Sequence, residues 1–99
     1  MKILMDLTVV PQVEGSLSPY VAACQKILNT HGLKYTLHAY GTNIEGEWDD
    51  VMAAVKVCHE ELHKLGAPRV SSIIKMATRT DKDQSLEDKI ASVEAKISG

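Results

Sequence analysis

Tyr40-Gly41-Thr42-Asn43-Ile44-Glu45-Gly46-Glu47-Trp48-Asp49-Asp50 lies where one hydrophobic period stops and another begins. Upstream, Leu33, Tyr35, Leu37 and Ala39 alternate with Lys34, Thr36, His38 and Tyr40, the period of two that marks a strand. Downstream, Trp48, Val51, Met52, Val55, His59, Leu62 and Leu65 recur at helical spacing until Gly66 and Pro68. The spacing predicts a turn at Gly41 to Asn43, a short strand from Ile44 to Glu47 that pairs back, and a helix from Trp48. Glycines let a backbone turn sharply and approach a ligand closely, and here they bracket a hydroxyl, an amide, carboxylates and an indole. The stretch is therefore the first candidate for a binding site. Turn and cap chemistry accounts for the same residue types: Gly for positive φ, Asp49 or Asp50 near a helix cap, Trp48 as a core anchor.

Working outward, Lys2 to Val10 alternates, with Ile3, Met5, Leu7 and Val9 on one face and Leu4, Asp6, Thr8 and Val10 on the other. Residues 11 to 17 read as a loop. Ser18-Pro19 then predicts an N-cap followed by proline at the first helical position, with Tyr20, Val21, Cys24, Ile27, Leu28 and His31 at helical spacing and Gly32 as a left-handed stop. Arg69 to Thr78 is a fourth strand, and Ser85 begins a last helix in a Ser-x-x-acid pattern with Leu86, Ile90, Val93 and Ile97 as its apolar row. The order is βαββαβ plus a C-terminal helix within a single domain, 1–99. That is the α+β, ferredoxin-like pattern, an antiparallel four-stranded sheet with two helices on one face. The other face carries Leu4, Val10, Tyr40 and Ile73 among polar residues, and a third helix cannot join a core that two helices already cover. The free face and the last helix are accordingly expected to serve self-association.

Bulk properties narrow the function. At 99 residues the chain buries a modest share of its surface, so a ligand site is expected at a surface groove or a subunit interface. A net charge of −2 gives no footprint for nucleic acid, whose phosphates demand clustered Lys and Arg. No run approaches transmembrane length and the apolar start is broken by Asp6, so a cytoplasmic protein with no membrane partner is expected. Cys24 and Cys58 fall beside the apolar stripes of their helices, which favours buried free thiols over a bridge between them.

Several motifs are weaker than they look. His59-Glu60-Glu61-Leu62-His63 matches H-E-x-x-H, which presents two imidazoles to zinc with glutamate as base. Here His59 falls near the centre of an apolar stripe and no third ligand follows, so packing histidines are expected, with no metal and no cofactor. A soft-metal carrier of this topology needs Cys-x-x-Cys where Pro11-Gln12-Val13-Glu14 stands. An RNA-recognition motif needs stacking aromatics, and the chain has no Phe. An acylphosphatase-type site needs a basic residue between 10 and 18, and none is present.

What remains is the opening stretch. Thr42 and Glu45 offer a hydroxyl and a carboxylate, and Tyr40 and Trp48 offer flat apolar surface. A carboxylate between aromatic walls suits a planar, nitrogen-rich or cationic ligand. The string Leu37 to Met52, with Gly-Thr-x-Ile-Glu-Gly at Gly41 to Gly46 and an acidic helix start, resembles the small thiamine-binding protein family of ferredoxin-like fold. The likeness continues through Val10-Pro11, Ser18, His59-Glu60, Gly66, Arg69-Val70, Arg79 and Asp81-Lys82. It implies cytoplasmic homo-oligomers, dimers or tetramers, that bind thiamine or its hydroxymethylpyrimidine part without catalysis. Carried over, Thr42 and Glu45 are the leading ligand contacts, with Tyr40 and Trp48 beside them and Thr8 and Ser18 facing the same groove. Met76-Ala77-Thr78 departs from the acidic residues many members carry before the arginine. Two other classes remain open: a small oligomeric enzyme with Glu45 as general base, and a purely structural interaction module.

Overall fold

The computed structural model describes residues 1–99. Its elements run β1 (Lys2–Pro11), α1 (Ser18–Thr30), β2 (Lys34–His38), β3 (Gly41–Glu47), α2 (Trp48–Lys64), β4 (Val70–Ala77) and α3 (Leu86–Ser98). The four strands form one antiparallel sheet in the order β2-β3-β1-β4. This is the ferredoxin-like arrangement with an added C-terminal helix.

Alternation fixes which strand residues meet the helices. Ile3, Met5 and Leu7 of β1 and Ile44 of β3 point to one face and pack with Leu28 of α1 and Val51, Ala54 and Val55 of α2. A smaller cluster of Cys24, Cys58 and Leu62 closes the contact between the two helices. Burying each large side chain contributes about 1.5–3 kcal/mol, and a register slip of one residue would turn the whole inward row to water. The hydrophobic pattern therefore holds the register Met5↔Ile44 and Met5↔Met76.

Both core helices stop as their glycines predict. Gly32 (φ 69°) and Gly66 (φ 107°) take the left-handed conformation. The amides of Leu33 and Ala67 donate to the carbonyls of Leu28 and Leu62, and those of Gly32 and Gly66 to Asn29 and His63. These paired bonds satisfy carbonyls that a helix end leaves open. Ser85 also behaves as expected: its hydroxyl accepts from the Asp88 amide while the Asp88 carboxylate accepts from the Ser85 amide.

Four local expectations are corrected. The β2–β3 turn is Ala39–Tyr40, and Gly41 to Asn43 already belong to β3. Neither Gly41 nor Gly46 has a positive φ; a Cβ on Gly41 would meet backbone and one on Gly46 the tips of two side chains. Ser18 is the first helical residue, not the cap; Leu17 takes the cap position, and the Ser18 amide donates to the Ser16 hydroxyl. In α2 the centre of the buried stripe is Cys58, with His59 beside it and Trp48 and Leu65 partly exposed.

No residue of α3 is buried, and Ile90, Val93 and Ile97 lie open. The helix extends away from the sheet rather than across it. The radius of gyration, 14.9 Å, exceeds the value of about 13 Å for a compact chain of this size, and the extents are 48 × 28 × 20 Å.

Candidate functional site

A groove of about 510 Å³ opens between the first half of α1, the end of β1 and the β2–β3 hairpin. Twelve of its eighteen lining residues are hydrophobic, Val10, Leu17, Tyr20, Val21, Leu37 and Tyr40 among them, and no lysine or arginine lines it. The same groove is lined by Thr8, Ser18, Tyr40 and Thr42. Those residues come from β1, α1, the hairpin turn and β3, so the fold gathers positions far apart in the chain.

Thr42 is the polar residue of the inward row on β3, and it is only 4% exposed. Its hydroxyl accepts a 2.8 Å bond from the Gln25 side-chain amide. The other end of that amide, Gln25 Oε1, is closed off from solvent and has no hydrogen-bond partner. Gln25 was not singled out by the sequence, although a signal was available. Val21, Cys24, Gln25 and Leu28 follow the spacing i, i+3, i+4, i+7 of one helical face, so Gln25 is a polar residue at an apolar position.

The rim is ordered by short polar contacts. Thr8 donates its hydroxyl to the Tyr40 carbonyl at 2.8 Å. The Tyr40 amide donates to His38 Nδ1 at 3.3 Å, which leaves the ring proton on Nε2 to donate to Asp6 at 2.7 Å. A Cβ on Gly41 would lie 2.7 Å from the Leu7 carbonyl and 2.8 Å from the Thr8 hydroxyl, so only glycine lets the hairpin close on β1. Tyr40 itself is 86% exposed at the lip.

Glu45 and Trp48 lie elsewhere. Alternation turns Glu45 to the open face of the sheet, where its carboxylate accepts from the Leu86 amide at 2.9 Å and sits 3.3 Å from Lys2 Nζ and 3.6 Å from Lys34 Nζ. Lys2 also pairs with Asp83, and Lys34 with Glu87. Both ammonium groups are pushed up, first by those bonds to Asp83 and Glu87 and further by Glu45. The motif carboxylate thus fastens the first turn of α3 to the sheet. Trp48 is at the opposite end of β3 from the hairpin turn, beside Met1, Glu47 and Asp49, and its amide donates to the Met1 carbonyl.

The histidines of the H-E-x-x-H string turn to separate partners, His59 Nε2 to the Ser72 hydroxyl and His63 Nδ1 to the Ala67 carbonyl at 2.8 Å. They tie α2 to β4 and to its own C-terminal turn. Cys24 and Cys58 are free and buried, and hydrogen bonding with Cys24 together with burial pushes the Cys58 thiol up.

The model of a family described as thiamine-binding protein matches residues 5–94. A UPF0045 protein of Synechocystis sp. is 58% identical over 95 residues, covering 95% of this chain and 78% of its own. One of Eremothecium gossypii is 41% identical over 97 residues, covering 96% and 92%. Among solved structures, a hypothetical protein of Methanocaldococcus jannaschii superposes with a TM-score of 0.87 at 29% identity, covering 94% of this chain and 96% of its own. A Thermotoga maritima protein proposed to act in thiamine biosynthesis or salvage has the same fold, with a TM-score of 0.81, 22% identity and coverage of 94% and 99%.

Proposed function

We propose a function from one premise: the chain belongs to the thiamine-binding protein family. It binds thiamine, or the hydroxymethylpyrimidine part of it, in the groove between α1 and the β2–β3 hairpin, and serves as a carrier, buffer or sensor rather than as an enzyme. The observation that carries this reading is a groove with apolar walls and aromatic lips that ends on the hydrogen-bonded Thr42–Gln25 pair. A flat pyrimidine fits between such walls, and its polar edge needs partners of this kind. The cationic thiazolium is attracted by the faces of Tyr20 and Tyr40. Thr8, Ser18, Tyr40 and Thr42 surround the ligand, while Glu45 acts through α3. Without a lysine or arginine in the wall, the groove favours unphosphorylated thiamine over its diphosphate.

Copies of the chain associate in the cytoplasm through the open sheet face and α3. The exposed Ile73 on β4 and the row Ile90, Val93 and Ile97 support that assembly. No helix is long and apolar enough to cross a membrane.

Titration calorimetry of ligand-stripped protein with thiamine, hydroxymethylpyrimidine and thiamine diphosphate tests the reading. Saturable heat is expected for the first two, lost in Thr42→Val and changed less than about threefold in Glu45→Ala, whose carboxylate is remote from the groove. No heat for any of the three with folded protein would overturn the function. Binding that survives Thr42→Val and vanishes in Glu45→Ala would move the site to the open face.

A further inference from the structure

We infer that Gln25 and Thr42 form a donor–acceptor pair that reads the amidine edge of an aminopyrimidine, an inference that rests on the thiamine reading of this groove. A threonine hydroxyl has one proton and two lone pairs, and a primary amide has two protons and an acceptor oxygen. Thr42 Oγ1 uses one lone pair on Gln25 Nε2, and its proton is committed to no protein acceptor. Gln25 Oε1 is an acceptor with no partner. The pair therefore keeps two protons, one on Thr42 Oγ1 and one on Gln25 Nε2, and one wholly unpartnered acceptor, Gln25 Oε1, which lies closed off just behind the groove wall. A 4-aminopyrimidine offers the complement on one edge: an exocyclic amino N–H beside a ring nitrogen lone pair.

The pieces also move in the right way. Thr42 is held by the β3 ladder with its partner Leu7 and is the fixed member. Gln25 stands on one turn of α1, is only part-buried, and ends in a broad terminal torsion, so a small rotation of the amide plane brings Oε1 to the groove surface without moving the helix. An acceptor shut away without a partner is costly in the empty groove and is relieved when the amino group arrives. A 4-oxo analogue presents a carbonyl where the amino group was and a ring N–H where the lone pair was. While Thr42 holds the amide in this orientation, Gln25 Oε1 meets that carbonyl acceptor to acceptor and stays unpartnered, and a site built for hydrogen bonds rejects such a mismatch.

The experiment is calorimetry with thiamine and with oxythiamine, its 4-oxo analogue, on wild type, Gln25→Met and Gln25→Glu, each checked for fold by circular dichroism. Wild type is expected to prefer thiamine by at least about tenfold. Gln25→Met keeps the packing volume, removes the acceptor and should bring the ratio close to one; Gln25→Glu keeps an acceptor and should retain most of the preference. Hydroxymethylpyrimidine should show the same dependence on Gln25 as thiamine, since the pyrimidine and not the thiazolium meets the pair. An unchanged ratio in Gln25→Met, or a wild-type preference for oxythiamine, overturns the inference while leaving thiamine binding intact. Failure of wild type to bind thiamine overturns the parent reading and this one together, and the wild-type thiamine arm alone tells the two failures apart.

Discussion

On the helix-covered face of the sheet, Ile3, Met5, Leu7 and Ile44 are buried against hydrocarbon from α1 and α2, whereas the open face carries Lys2, Asp6, Asn43, Glu45 and Lys75 and meets the first turn of α3 and the loop before it. The first face is held by packing and the second by charge. Hydrophobic burial is non-directional and holds wherever the surfaces fit, while an exposed ion pair competes with water and salt and contributes little by itself. The difference teaches how one strand serves two purposes: Thr42 faces inward to the groove floor, and Glu45, three residues on, faces outward to fasten a helix.

The sharpest test of the contrast truncates one residue from each side. Ile44→Ala removes a fully buried side chain and should cost about 2–5 kcal/mol in urea unfolding. Ile90→Ala, on the exposed row of α3, should stay within about 0.5 kcal/mol at concentrations where the chain is monomeric. Its effect should instead show in sedimentation as weaker self-association. Equal costs in the two variants would break the distinction, because they would place α3 in the core.

A smaller effect separates the two glycines of the motif. A Cβ on Gly41 meets the backbone carbonyl of Leu7 at 2.7 Å, and backbone in a sheet cannot retreat. On Gly46 it meets the tip of Leu33 at 2.9 Å and Val51 at 3.2 Å, which are side chains. Gly41→Ala should therefore destabilise by about 1–3 kcal/mol and weaken thiamine binding, because the hairpin that forms the groove lip must shift. Gly46→Ala should cost less and leave affinity nearly unchanged. Unfolding curves and titrations on both variants check the order.

The same residues show what could be read from the sequence. Alternation at Ile3, Met5 and Leu7 and helical spacing at Val51, Val55 and Leu62 are direct records of burial, so the element order and the sheet faces were legible. The terminal glycines Gly32 and Gly66 were legible too, because left-handed backbone selects one residue type. Gly41 shows the limit, because a glycine required by a close neighbour looks the same in one dimension as one required by φ. Glu45 and Thr42 share a motif, yet successive strand residues point to opposite faces, and an odd spacing of three sets their side chains on opposite sides of the sheet, which a motif read in one dimension does not show. Gln25 carries no local signal of its partner, which lies 17 residues away and is brought to it only by the fold.

The weakest effect concerns how α3 is fastened. Glu87 is held below the ordinary carboxylate value of 4.5, chiefly by its bond to Lys34, and Asp88 below 3.8, chiefly by the Ser85 amide. Lys34 stands on the sheet, so Glu87 binds fewer protons when α3 is docked than when it is free, and its contribution is complete above the ordinary carboxylate range and is lost as the pH falls through and below it, whereas Asp88 caps the helix itself. Both are exposed, so the change is small and confined to the helix they hold. Arg79 holds Asp81 lower, at about 2, and that ion pair in the preceding loop should outlast the one between Lys34 and Glu87. Amide resonances followed from pH 7 downward should show Leu86 to Lys89 shifting toward free-helix values while Met5, Ile44 and Met76 stay native. High salt should produce a similar loosening at neutral pH, since screening weakens the same exposed pairs. If instead the sheet and α3 change together at one pH, the fastening is not separable from the core, and the two faces respond as one unit.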